Sequence, residues 1–177
     1  MELIRPDSVE ERNDFMSLWS SFLLETYNQG GDVLPTMNNL AFFAQLVHTY
    51  SRNPSLGVAC VAYHNDPRFP VAAGLWGVVS STPILELRYG PVANGWGIYV
   101  LPAWRKSGVS KTIRAYCVRH LLRAGFHSVV GSTALKNEAS YHSSVKFGFV
   151  PTHIQGLLDL NQFRELHTGS MEQGLQE

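Results

Sequence analysis

Apolar side chains recur at spacings of three and four at Phe15, Leu18, Trp19, Phe22 and Leu23, which predicts an amphipathic helix running to about Tyr27. Ahead of it, Leu3-Ile4-Arg5 reads as a short strand, and Pro6-Asp7-Ser8 supplies a turn and an N-cap. Asn28-Gln29-Gly30-Gly31-Asp32 breaks the helix. A second helix is expected from about Asn38, with Leu40, Phe43, Leu46, Val47 and Tyr50 as its stripe, ended by Asn53-Pro54. The pattern then turns nearly continuous. Leu56 to Tyr63 and Val71 to Ser80 read as two buried strands joined by the turn His64-Asn65-Asp66-Pro67, the second the antiparallel neighbour of the first. Ile84 to Tyr89 alternates as an extra strand would, Gly90-Pro91 interrupts it, and Gly95 to Leu101 forms a further strand. Beyond Pro102 the period is helical again, through Val109, Ile113, Tyr116, Cys117, His120, Leu121 and Ala124, with Lys111, Arg114, Arg119 and Arg123 on other faces and Gly125 as the stop. His127 to Thr133 is a strand, Glu138 to Phe147 a short helix ended by Gly148, and Phe149 to Ile154 and Leu157 to Leu160 two closing strands.

Helices set between strands in this order predict an α/β domain. Its centre is one mixed sheet of about six to seven strands, flanked by about four helices. The 177 residues fit a single domain, placed at 1–166, with a Gly/Gln/Glu-rich, disordered tail at 167–177. No internal repeat or linker is visible.

Charge changes the picture in one place. Fourteen Lys and Arg balance fourteen Asp and Glu, so the net charge of zero gives no general reason to bind nucleic acid. From Leu87 to Asn137, however, there is no acid, while Arg88, Arg105, Lys106, Lys111, Arg114, Arg119, Arg123 and Lys136 give +8 and leave −8 elsewhere. A one-signed third of a neutral chain suggests an anionic ligand; the plainer reading is the solvated face of one helix. Cys60 and Cys117 lie in apolar stretches with no Cys-x-x-Cys pairing, which points to buried thiols and no metal site. The N-terminus lacks the apolar run of a signal peptide, and no run approaches about 18 residues, so a soluble cytoplasmic protein with no membrane partner is expected.

The candidate chemistry lies in Trp96 to Ser110, where a strand enters a short loop that opens into a helix. Arg105, Gly108 and Ser110 stand as R-x-x-G-x-S. A helix N-terminus has about four unpaired N–H groups and a partial positive charge, a combination that binds phosphate or pyrophosphate. Gly108 lets the backbone approach an anion, Ser110 adds a hydroxyl, and Arg105, Lys106 and Lys111 supply charge. By itself the stretch also fits a strand-loop-helix with a capping serine.

A second stretch runs from Asn137 to Phe149. Val100, Pro102, Arg105 and Gly108 in the first, with Asn137, Ser140, Lys146, Gly148 and Phe149 in the second, resemble the two motifs of the GCN5-related N-acetyltransferase (GNAT) superfamily. Ser110 departs from the family's usual Gly or Ala. The resemblance covers Gly95 to Val150 in motif terms. It implies acetyl-CoA as acetyl donor, its pantetheine arm along the strand at Tyr99, Val100 and Leu101. It also implies the pyrophosphate on the amides of Arg105, Lys106, Ser107, Gly108, Val109 and Ser110, with Lys111 nearby and Asn137 opposite.

The implied function is an N-acetyltransferase that moves an acetyl group to a primary amine by direct attack. That needs a base for the ammonium, polarisation of the carbonyl and a proton for the thiolate. Where many members place a protonating tyrosine, seven residues after the Asn, this chain has Ser144. Three readings follow: Ser144 hydrogen-bonds the sulfur, Tyr141 one turn earlier substitutes, or no enzymic acid is needed. Tyr141 reads equally as a packed aromatic. Glu86 is the candidate base, set against a cross-strand partnership with Arg88, and His127 and His142 titrate in a suitable range. The acceptor is an amine-bearing small molecule or a protein, entering past Tyr27–Met37 and Thr152–Leu158, where Glu25 and Asp32 would attract a cation and Trp76, Trp96 and Trp104 would shape a pocket. Two alternatives remain: a catalytically weak or inactive CoA-binding interaction module, and a basic nucleic-acid binder. The family often forms dimers, so the resemblance also implies a homodimer, although no interface is decisive in the sequence.

Overall fold

The computed structural model describes residues 1–30, 33–65, 68–78, 91–134 and 136–151. Contacts divide the chain into two units, Met1–Phe147 and Gly148–Glu177, and the fold below is that of the first. Its elements are β1 (Glu2–Ile4), α1 (Val9–Asn28), α2 (Met37–Arg52), β2 (Gly57–Asn65), β3 (Arg68–Gly77), β4 (Val92–Val100), a 3-10 turn (Pro102–Trp104), α3 (Val109–Arg123), β5 (Ser128–Gly131) and α4 (Glu138–Phe147). The strands lie in sequence order in one mixed sheet: β1 to β4 pair antiparallel, and β5 joins β4 in parallel, with α3 as the crossover.

The sheet has five strands among the described residues, not six to seven, beside the four expected helices. The alternating Ile84 to Tyr89 and the closing Leu157 to Leu160 fall outside the described residues, as does the tail from 167. Phe149 to Pro151 carries no strand. Turn chemistry and apolar period placed the rest within a few residues. The main shift is β4, which begins at Val92 rather than Gly95 because Val92 and Ala93 pair with Ser128 and Val129.

Two layers of apolar packing hold the sheet. On one face Phe15, Leu18, Trp19 and Leu23 of α1 and Phe43, Val47 and Tyr50 of α2 cover Ala59, Val61, Ala73, Leu75 and Tyr99. On the other face α3 crosses β2 and β3 so closely that a Cβ on Gly74 would stand 2.6 Å from Ile113 and 3.3 Å from the Cys60 sulfur. The Cys60 and Cys117 sulfurs lie 3.9 Å apart between these layers, both buried, and burial raises the Cys117 thiol well above its ordinary range. The buried-thiol expectation is met by this packing.

The α1 start is set by a capping box. Ser8 Oγ accepts from the Glu11 amide at 3.1 Å, and Glu11 Oε2 accepts from the Ser8 and Asp7 amides at 3.0 Å each. The amide bond from Ser8, foremost among its contacts, holds the Glu11 carboxyl below the ordinary range. A depressed folded-state pKa contributes stability that is present above the unfolded value of about 4.3 and is lost as pH falls through the folded value. Glu11→Gln should therefore flatten the acid limb of a urea-unfolding series; parallel wild-type and variant curves between neutral and acid pH would contradict this.

Candidate active site

β4 carries an irregularity that builds the site. Leu75 pairs with Gly97 but Trp76 with Gly95, so Trp96 is an extra residue, a β-bulge. Gly97 makes the bulge possible. Its φ is +152°, and a Cβ there would stand 2.5 Å from the Phe22 ring of α1. Pairing with β5 ends at the same point, at Gly95 and Gly131, while β4 runs on to Val100.

Which backbone groups face the open side follows from strand alternation. The Leu101 amide donates to Val71 O at 2.9 Å, so Leu101 and Tyr99 turn toward β3, and Ile98 and Val100 turn to the side where β5 has ended. On that side the pairing of β4 ends at Gly95, before Ile98 and Val100. Of the expected Tyr99, Val100 and Leu101, Val100 thus has the outward backbone. Ile98 was missed, and the two-residue strand period is the signal that finds it. The Tyr99 ring is buried against Phe22, 6.3 Å between centroids.

After β4 the chain turns through Pro102–Trp104 into α3. Gly108 is the N-cap in the left-handed region, φ +87°, with nothing within 4 Å of a would-be Cβ; Lys106 also has positive φ, +65°. Thr112 makes the first backbone bond into the helix, to Gly108 O. The amides of Lys106, Ser107, Gly108, Val109, Ser110 and Lys111 have no acceptor among the described residues, and no side chain caps the helix. These donors suit a phosphate group. The Arg105 amide is taken by Pro102 O, and its side chain points elsewhere: Nε donates to Val100 O at 3.1 Å and Nη2 pairs with Glu25 Oε2 at 2.5 Å. That bond to Glu25 is the main reason the guanidinium pKa is raised. Ser107 Oγ donates to Trp104 O, which fixes the loop, and Val109 is buried under it.

Asn137 begins α4. Its Oδ1 accepts from the Ser140 amide at 3.1 Å and its carbonyl from the Tyr141 amide, so it is the helix cap. Ser144 is half-buried and accepts from Arg114 Nη1 at 3.2 Å. Tyr141 is exposed, its ring 5.5 Å from that of His142. Arg114 corrects an expectation: it does not lie on the solvated face of α3 but is 7% exposed. The sequence signal was available, because 114, 117 and 121 fall at three and four spacing within the apolar stripe.

On the acceptor side, Glu86, Asp32 and Thr152–Leu158 lie outside the described residues. Glu25 is paired with Arg105 and so does not stand as a free anion. Trp76 is core. Trp96 packs edge-on against Phe42 and Phe43, and Trp104 packs on His64 and Phe69 at the β2–β3 hairpin, away from a common pocket. His127 and His142 are exposed. No group of three metal-ligating side chains occurs among the described residues, and no described helix is long and apolar enough to cross a membrane.

The model of the Acetyltransferase (GNAT) family matches residues 15–149. No curated protein is similar enough in sequence to match. Among solved structures, the aminoglycoside antibiotic 6'-N-acetyltransferase AAC(6')-IG from Acinetobacter haemolyticus aligns with 21% identity and a TM-score of 0.64, over 90% of this chain and 97% of that one. AAC(6')-Iy, in complex with the bisubstrate analog CoA-S-monomethyl-acetylneamine, aligns with 15% identity and a TM-score of 0.66, over 89% and 96%. A mutant of the BH1408 protein from Bacillus halodurans aligns with 13% identity and a TM-score of 0.70, over 90% and 99%. At these identities the likeness is one of fold.

The left-handed cap supplies a test of the loop. Gly108→Asn should cost clearly less stability than Gly108→Val, since Asn tolerates positive φ and a β-branched residue does not, although both meet open space. Equal melting temperatures for the two variants would contradict the assigned conformation.

Proposed function

Because the chain belongs to the acetyltransferase (GNAT) family, an acyl-CoA-dependent enzyme family with acetyl-CoA as donor, we propose that it acetylates a primary amine by direct attack. The observation that carries this reading is the closeness along the chain of two sets of outward backbone donors. One is the outward edge of β4 at Ile98 and Val100. The other is the run of amides from Lys106 to Lys111 at the α3 N-terminus.

Acetyl-CoA, when bound, supplies the activated acetyl thioester. In our reading the amides of the α3 N-terminus, with Lys106 and Lys111, hold its pyrophosphate. Val100 and Ile98 pair with the pantetheine arm, and an outward N–H of β4 polarises the carbonyl. Asn137 keeps its side-chain amide for the same ligand while its oxygen caps α4. Glu86 is assigned as base and Ser144 as the group beside the sulfur, with Tyr141 as the alternative donor on the same helix. We assign an amine-bearing small molecule as acceptor, an assignment supported by the aminoglycoside acetyltransferases that share the fold. One observation favours the second reading, a CoA-binding module of weak or no activity: a serine stands at the acid position, and a Ser hydroxyl is a far weaker acid than Tyr, whose pKa is about 10.

Thiol release from acetyl-CoA over an amine panel, beside CoA-dependent thermal stabilisation, separates the two. We expect turnover with at least one small amine and a fall in kcat of about tenfold or more in Ser144→Ala, with Tyr141→Phe near wild type. CoA-dependent stabilisation without turnover on any amine would establish the second reading instead. For the base, Glu86→Gln should remove the acid limb of the pH–rate profile; an unchanged profile takes Glu86 out of the mechanism.

A further inference from the structure

Arg114 is the one charged side chain buried among the described residues, at 7% exposure. Nη1 donates to Ser144 Oγ at 3.2 Å, and the guanidinium carbon lies 5.7 Å from the centre of the Phe147 ring. Nε is buried and has no partner among the described residues, and no described carboxylate pairs with the group. Burial lowers the pKa from its ordinary value, yet an arginine remains protonated throughout the working range. A buried charge is costly unless it is paired, and among the described residues this one has no carboxylate partner. A cation kept there fits a site in which an anion forms during the working cycle.

We propose that Arg114 is a positioning residue that orients Ser144 and stabilises the leaving sulfur as a thiolate. The inference rests on the reading above that Ser144 stands beside the thioester sulfur. A guanidinium has only donors, so its bond to Ser144 uses an oxygen lone pair. The single hydroxyl hydrogen of Ser144 is then left to turn toward another acceptor. In the transfer, the amine nitrogen forms the new C–N bond and the C–S bond breaks with its electron pair on sulfur. The proton lost from nitrogen passes to the base, assigned above to Glu86. Ser144 need not give up its own proton; it donates a hydrogen bond to the thiolate, and the charge of Arg114 behind it favours the anion. Serine at a position where the family often has tyrosine is then compatible with turnover.

The test reads the thiol directly. CoA bound to the full-length protein is titrated by thiolate absorbance, with binding measured by calorimetry. In the wild-type complex the thiol should titrate about one unit or more below free CoA. Arg114→Met should return it to the free value and lower kcat at least tenfold, with the KM for acetyl-CoA within about threefold. Arg114→Lys should restore part of the shift, whereas Arg114→Gln, which keeps hydrogen-bond donors without the charge, should not. If Arg114→Met loses its fold or its CoA binding, the Lys and Gln variants decide. A wild-type bound thiol that titrates like free CoA, or a Gln variant that matches wild type, overturns the role of the charge. Failure of the wild-type protein to bind CoA at all removes the site reading itself, and this inference with it; binding with an unshifted thiol removes only the inference.

Discussion

The parting of β4 from β5 is the constraint on which the candidate site depends. A sheet that kept both strands paired to their ends would consume every backbone donor along that edge. Here the parallel pairing stops after four residue pairs, and the extra residue at Trp96 turns β4 at the same place. The turn is held from the opposite face, where the Phe22 ring occupies the space that a side chain on Gly97 would need. The core of α1 and the opening of the sheet are therefore one packing problem. The same ring that fills the interior also fixes where the free edge begins.

Periodicity made most of the framework legible. Phe15 to Leu23 and Val109 to Leu121 each expose a stripe that only a helix can bury on one side, and the continuous apolar runs at 56–63 and 71–77 fit strands covered on both faces. The R-x-x-G-x-S spacing likewise located the helix N-terminus, because glycine in a left-handed cap leaves a local signature. What the sequence could not carry were directions. The outward turn of Ile98 and Val100 depends on the Leu101 to Val71 bond, a pairing across thirty positions. The engagement of Arg105 by Glu25 joins residues eighty apart. Neither leaves a periodic trace.

The buried guanidinium shows where binary patterning misleads. Arg114 sits on the apolar side of α3, yet an arginine on a helix is read by default as solvated. Its two described contacts, Ser144 and Phe147, both belong to α4, so the residue links the crossover helix to the helix that follows β5. The one-signed charge of the Leu87–Asn137 stretch is accordingly not a uniform field. Part of it is buried between two helices, part is neutralised by an acid of α1, Lys106 and Lys111 stand in the loop and first turn with the open amides, and Arg123 lies in the last turn of α3.

The Arg105–Glu25 pair has a consequence for how an anion is held. With that guanidinium already matched to a carboxylate and to Val100 O, Arg105 is not available as a simple counter-charge. Much of the attraction then falls to backbone dipoles, which are fixed in direction and carry no mobile counterions to be released. Recognition of this kind is governed by geometry at short range more than by long-range field. On the reading proposed above, the loop would recognise a pyrophosphate largely by its shape, through these fixed donors, with Lys106 and Lys111 adding charge beside them.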